Sequence, residues 1–95
     1  MFIIELIYKV SLEEIDVHMQ AHIEYLDKNF ASGNFLISGR KIPREGGIII
    51  ANASTKEEIE TMIQQDPFYK HKLADIRIIE FANGKRAKDI NELIK

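Results

Sequence analysis

The feature that most constrains the fold is a pair of motifs in which a serine precedes a glutamate by three residues. One motif runs from Ser11 to Glu14 and the other from Ser54 to Glu57. In such a capping box the two side chains satisfy backbone N–H groups that the first turn of a helix leaves free. Each motif follows a short apolar run and precedes a helical pattern, and a further apolar run follows each helix. The chain is therefore predicted to repeat strand–helix–strand twice.

The predicted strands are short and rich in β-branched and aromatic residues, which favours strand over helix. They cover FIIELIYKV at 2–10, FLIS at 35–38, GIIIA at 47–51 and the run at 76–81. The polar connection between the second and third strands ends in two glycines, which suits a hairpin with a long turn.

The first predicted helix is one long amphipathic segment that begins at the first capping box and ends at Gly33, where a left-handed residue is wanted. Its apolar positions are Ile15, Met19, Ile23, Leu26 and Phe30. The second helix is predicted to bury Ile59, Met62 and Ile63. It stops at Asp66-Pro67, because the residue before a proline is pushed out of the helical region.

This order of elements, βαββαβ, predicts a ferredoxin-like α+β fold in which an antiparallel sheet carries both helices on one face. Adjacent strand residues point to opposite faces, so some of the isoleucines must face the uncovered side. A second copy packed sheet to sheet would cover them, and we expect a homodimer or a higher homo-oligomer. The isoleucines concerned are Ile3, Ile4, Ile48, Ile49, Ile50, Ile78 and Ile79.

Length and charge restrict the function classes. The 95 residues suffice for one core, and the net charge of -2 argues against nucleic acid as a partner. There is no cysteine, so thiolate catalysis and cysteine-bound zinc are excluded. No apolar run is long enough to span a bilayer, and a cytoplasmic protein without a membrane partner is expected.

Three histidines, His18, His22 and His71, are the side chains suited to acid–base work near neutral pH. His22 falls at the edge of the apolar stripe of the first helix, so it is directed at the sheet or its margin. A core-edge histidine with one hydrogen bond is the plainer interpretation, and a catalytic base is the sharper one. His18 and His22 have the spacing for a shared metal, but no third ligand is evident, and neither a metal nor a cofactor is expected.

Other candidate residues lie near the ends of the second helix and the second strand. Asp66 suits a helix cap before Pro67, and it could equally orient an imidazole. Ser38-Gly39 is either an ordinary turn or a hydroxyl beside open backbone. The basic residues Arg40, Lys41 and Arg44 form either a solvated loop or a clamp for a carboxylate or phosphate.

Taken in order, His22 in AHIEYL, the Ser38-Gly39 turn, Gly46-Gly47 and Asp66-Pro67-Phe68 before IRIIEF resemble the YciI-like family, the YCII-related domain. The resemblance covers 1–82 and leaves 83–95 as a charged tail whose Ile90, Leu93 and Ile94 could form a short docking helix. It implies a dimeric α+β barrel and an active site with a catalytic pair, His22 and Asp66. Ser38, Gly39, Arg40 and Phe68 are the substrate-binding residues that go with this pair.

Relatives implied by the resemblance include a dehalogenating enzyme acting on a chlorinated aromatic intermediate and the muconolactone isomerases. The family often has proline where this chain has Arg40, which favours an anionic substrate. We therefore expect a cofactor-independent lyase or isomerase acting on a small anionic or aromatic molecule. A non-catalytic module for ligand binding or dimerisation is the alternative, and a metal-dependent oxygen-handling enzyme is a weaker third.

Overall fold

The computed structural model describes residues 1–93, and Ile94 and Lys95 of the predicted docking helix lie outside that range. Its four antiparallel strands are arranged in the order β2-β3-β1-β4. The elements in chain order are β1 (Phe2–Tyr8), α1 (Leu12–Val17), α2 (Met19–Ala31), β2 (Phe35–Arg40), β3 (Gly46–Ala51), α3 (Lys56–Ile63), α4 (Pro67–Lys70), β4 (Ala74–Glu80) and α5 (Ile90–Leu93). The predicted ferredoxin-like α+β fold is confirmed.

The central strand β1 shows how the sequence selects the face of the sheet that the helices cover. Phe2, Ile4 and Leu6 alternate along it and are each buried, while Ile3 and Ile7 lie on the other side. Strand β1 pairs with β3 on one side and β4 on the other, both antiparallel. Because residues directly opposite one another share a face, this alternation continues across the sheet.

The core lies between this covered face and the helices. Its largest fully buried side chains come from both layers: Phe2, Ile4, Ile15, Phe35, Ile59 and Phe68. Two glycines permit the tight connections around the core. Gly33 has a φ of +82° at the end of α2, as predicted, and a Cβ on Gly46 would lie 1.8 Å from the carbonyl oxygen of Leu6.

The prediction of one long first helix was wrong. The helix is interrupted at His18, which ends α1 and precedes α2. The buried stripe nevertheless continues across the interruption, because Ile15, His22 and Asn29 are buried at intervals of seven residues. In α2 the buried side chains are His22, Tyr25 and Asn29, whereas the predicted apolar positions Ile23 and Phe30 are exposed.

The two capping boxes have different outcomes. Ser11 caps α1 as predicted, with the Glu14 N–H donating to Ser11 Oγ at 3.3 Å. In the second motif the cap is one residue later than predicted: Thr55 Oγ1 accepts from the Glu58 N–H. Glu58 in turn accepts a hydrogen bond from the Ser54 N–H through Oε2. Both serine and threonine suit the capping position, so the sequence alone did not decide whether Ser54 or Thr55 is the cap.

The second face of the sheet carries side chains that are less buried than those on the helix-covered face. Its isoleucines are half-buried or exposed; Ile79 is 38% exposed. Glu5 stands among them, with its carboxylate 2.9 Å from Lys41 Nζ and 3.9 Å from Arg77 Nη1. The hydrogen bond from Lys41 holds the pKa of Glu5 below its ordinary value of 4.5.

The C-terminal tail carries the short helix α5, and Ile90 there is 41% exposed. Within the described residues no helix has both the length and the apolar character needed to cross a membrane.

Candidate functional site

His22 and Asp66 form a buried contact between two polar side chains. Nδ1 of His22 lies 2.9 Å from Oδ1 of Asp66, and the two residues are 8% and 3% exposed. They come from α2 and from the start of α4, which lie next to each other. The structure therefore brings together the two residues that the sequence singled out.

Asp66 is held in place by its role at a helix start. It caps α4, and its Oδ1 accepts a hydrogen bond from the Phe68 N–H at 2.9 Å. Pro67 occupies the first turn, where its missing N–H costs nothing. The two interpretations of Asp66, as a cap and as the partner of an imidazole, are thus both met by one carboxylate oxygen.

The ring of His22 is held by an aromatic contact in addition to its hydrogen bond with Asp66. It stacks on Phe68 with ring centroids 3.9 Å apart and an angle of 3° between the planes. Tyr25 lies farther away, at 6.1 Å, and its hydroxyl donates to the carbonyl oxygen of Met62. Burial, with the Asp66 charge as a second cause, raises the pKa of the Tyr25 hydroxyl.

His22 lines a cavity, and its second ring nitrogen, Nε2, makes no hydrogen bond to another described side chain. Nδ1 makes the side-chain hydrogen bond, and no buried side-chain nitrogen or oxygen among the described residues lacks a partner. Nε2 is therefore the accessible nitrogen at the cavity wall, which His22 lines. In the tautomer whose Nδ1–H donates to Asp66, the lone pair of Nε2 is free to accept a hydrogen bond.

The cavity has a volume of about 430 Å³, within the usual range for small-molecule sites. Much of its wall is apolar: Leu6, Met19, Ile23, Leu26, Ile49 and Phe68. Such a wall suits the body of a small organic molecule, and the polar groups around it would fix its orientation.

Three further predicted residues, Ser38, Gly39 and Arg40, line the same cavity from the strand β2. Ser38 lies opposite Ile49 and Arg40 opposite Gly47, which puts both side chains on the face that the helices cover. Ser38 is not hydrogen-bonded to His22 in this arrangement, so the structure has no serine–histidine nucleophile pair at these residues.

The basic cluster around Arg40 is divided between the two faces of the sheet. Lys41 turns to Glu5 on the open face, whereas Arg40 and Arg44 line the cavity. The guanidinium of Arg44 forms an ion pair with Asp16, which is also part of the cavity wall.

This ion pair shifts the pKa of both its members. The hydrogen bond between them lowers the pKa of Asp16 and raises the pKa of Arg44. Tyr8 also raises the pKa of Arg44, as a smaller cause. Arg44 and Asp16 therefore remain charged and paired across the neutral range.

The other two histidines lie outside this arrangement. His18 stacks on His71 with ring centroids 4.2 Å apart, instead of facing His22 across the helix. No group of three or more histidine and carboxylate side chains gathers at one point within residues 1–93. The His22 N–H still donates to the His18 carbonyl oxygen, but the two side chains have different partners, His71 for His18 and Asp66 for His22.

Two cavity residues, Tyr8 and Asp16, were not identified from the sequence. Tyr8 continues the alternation of Phe2, Ile4 and Leu6, which could have placed it on the helix-covered face at the end of β1. Asp16 gave no comparable signal, because its partner at the cavity, Arg44, is distant along the chain.

The chain is therefore an α+β protein of ferredoxin-like fold, with a buried histidine–carboxylate pair beside an open cavity. A family model described as "YCII-related domain" matches residues 1–82, and the chain belongs to this family. A search of curated proteins found no match.

Among solved structures, the chain is similar to 5-chloro-2-hydroxyhydroquinone dehydrochlorinase (TftG) from Burkholderia phenoliruptrix AC1100, determined in complex with 2,5-dihydroxybenzoquinone. The TM-score is 0.74 and the identity 19%, with 87% of this chain and 94% of that chain covered. At this identity the likeness shows a shared fold.

Proposed function

We propose that the protein is a small acid–base enzyme of the lyase or isomerase type that acts on an anionic or aromatic substrate without a cofactor. The observation that carries this proposal is the buried contact from Nδ1 of His22 to Asp66 beside the cavity. A histidine oriented in this way presents one nitrogen to a bound molecule and holds the other on a carboxylate.

In the proposed reaction His22 removes a proton from the substrate through Nε2. The imidazolium that forms is stabilised by Asp66, which also keeps the ring in its tautomer. Charge that develops on a substrate oxygen is met by the Ser38 hydroxyl or a nearby backbone N–H, and the basic side chain of Arg40 neutralises an anionic group. The proton then returns to another position of the substrate, or leaves with a departing group.

Two findings support the proposal in addition to the contact itself. The cavity joins an apolar wall to basic side chains, which suits a ring that carries a negative group. The structurally similar dehydrochlorinase is an enzyme, and its structure contains a small quinone. A dihydroxyquinone is therefore a reasonable first compound to test.

The test uses 2,5-dihydroxybenzoquinone in D₂O and follows the loss of its ring-hydrogen signal by proton NMR. We expect the protein to accelerate exchange of these hydrogens, and His22→Ala to reduce this acceleration by about a hundred- to ten-thousand-fold. Asp66→Asn retains an acceptor oxygen without the charge, so its loss should be smaller. His71→Ala removes a histidine that does not line the cavity and serves as the matched control.

Two results would decide against catalysis. Exchange that is equally fast with His22→Ala, in a variant shown by its NMR spectrum to be folded, would exclude His22 as the base. Binding of the quinone without accelerated exchange by the unchanged protein would favour the alternative, a module that binds a small ligand.

We further propose that two copies of the chain pair through the open face of the sheet. Apolar side chains on that face, among them Ile3, Ile50 and Ile79, are half-buried or exposed in the single chain. Contiguous exposed apolar surface is rare on monomers, and the same face on a second copy is its simplest cover.

A further inference from the structure

We propose that Arg44 is the receptor for a carboxylate or similar monoanionic group of the ligand, and that Asp16 occupies this receptor until the ligand displaces it. The inference deepens the proposed function, on which it rests, by naming the substrate class: a small organic acid with an apolar body.

The first step is the position of Arg44. It stands in the connection between β2 and β3 and reaches across to Asp16 on α1, and both residues line the cavity that His22 also lines. The Arg44 side chain is only 27% exposed, whereas that of Arg40 belongs to an exposed residue at the end of β2. Arg44 is thus the more enclosed of the two cations available to a bound molecule.

The second step is the unequal exposure of the ion pair. The Asp16 side chain is 57% exposed, about twice the fraction of its partner. A carboxylate this exposed recovers most of its hydration when it leaves, so its release costs little. The enclosed guanidinium would lose its counter-charge and needs a replacement.

The third step is the chemistry of replacement. A guanidinium presents a planar set of donors that fits a carboxylate through two parallel hydrogen bonds. Asp16 accepts a hydrogen bond from Nη2 of Arg44 through Oδ1, and a ligand carboxylate could take over this bond and add a second. A neutral ligand offers no such exchange, so the Arg44–Asp16 pair selects acids over their uncharged analogues.

The apolar wall completes the ligand class. Met19, Ile23 and Leu26 project from α2, and Ile49 lies on the sheet beneath them. This wall favours a ring or short hydrocarbon body, with the anionic group at Arg44 and the remainder of the molecule toward His22.

The experiment compares benzoate with benzamide, which have nearly the same size and shape but differ in charge. Binding is followed by two-dimensional NMR of the full chain, including the side-chain signals of arginine. We expect benzoate to bind and benzamide to bind at least about tenfold more weakly, because only the acid makes a charged pair with Arg44.

Asp16→Asn is the decisive variant, since it removes the internal competitor and should tighten benzoate binding several-fold. Arg44→Gln should abolish the preference for benzoate over benzamide, and Arg40→Gln should weaken it less. Equal affinity for the two compounds, unchanged benzoate affinity in Asp16→Asn, or a larger loss in Arg40→Gln than in Arg44→Gln would each overturn the proposal.

His22→Ala separates this inference from the proposed function. The acid preference and its response to Asp16→Asn should persist in that variant, because neither depends on proton transfer. If His22→Ala leaves quinone exchange unchanged, the catalytic proposal fails while the benzoate comparison still tests Arg44.

Discussion

A carboxylate beside a basic nitrogen on the helix-covered side of the sheet, Asp66, can be compared with one on the open side, Glu5, and the two pairs differ in burial and in partner. The Asp66 side chain is 4% exposed and contacts His22, whereas that of Glu5 is 24% exposed and contacts Lys41. Both distances are 2.9 Å. Distance alone therefore does not distinguish a pair suited to chemistry from one that only organises a surface.

The difference lies in what the partner can do. The Lys41 ammonium and the Arg77 guanidinium carry a permanent charge near neutral pH, so the contacts of Glu5 are fixed ion pairs. An imidazole can both accept and donate a proton, and His22 lines the cavity. Only the pair on the helix-covered side can accept and return a proton while Asp66 remains in place.

The largest difference between the two carboxylates should appear in stability. Asp66→Ala removes the cap of α4 and leaves the buried Nδ1–H of His22 without an acceptor, and we expect a loss of about 2–4 kcal/mol in the free energy of unfolding. Glu5→Ala should cost less, since Glu5 keeps part of its hydration in the folded chain. Urea unfolding followed by circular dichroism measures both, and equal losses would remove the distinction drawn from burial.

A smaller effect is expected from a charge placed on the open face. Ile79→Asp should weaken pairing of two copies by roughly a hundredfold, because it buries an unpaired carboxylate between the sheets. Leu12→Asp is the matched control: Leu12 is 42% exposed against 38% for Ile79, and it lies in α1 on the other side of the sheet. Sedimentation equilibrium gives the association constants. A monomeric wild-type protein, or pairing unaffected by Ile79→Asp, would contradict the proposal.

The same comparison shows what the sequence could predict. Alternation predicted that the strand residues divide between two faces, because strand geometry has a strict period of two, but the structure was needed to show which face the helices cover. The wheel of the first helix was drawn from apolar residues that include Ile23 and Phe30, which are exposed, whereas the buried stripe runs through His22 and Asn29. His22 was consequently taken as a residue at the margin, although it is among the most buried of α2.

Contacts between distant segments were harder to predict. The sequence grouped Arg40, Lys41 and Arg44 as one basic cluster, but successive strand residues point to opposite faces, and the cluster is divided between the cavity and Glu5. The contact of His22 with Asp66 spans 44 residues. It was predicted from the order of motifs that resembles the family, because local spacing carries no information about it.

The smallest effect concerns the pH dependence of the open face. Lys41 lowers the pKa of Glu5 below its ordinary value of 4.5, so the ionised carboxylate is more stable in the folded chain than in the unfolded one. Its contribution is fully present above the unfolded pKa and is lost as pH falls through the lower, folded value. Glu5→Gln should therefore show a shallower fall of stability with acid than the unchanged protein does.

Other carboxylates titrate in the same range, so the informative quantity is the difference between the two unfolding curves from about pH 6 to pH 3. Asp16→Asn provides the comparison, because Arg44 also lowers the pKa of Asp16 but on the cavity side. If Glu5→Gln leaves the acid dependence unchanged while Asp16→Asn alters it, the ion pairs of the open face do not stabilise the folded chain.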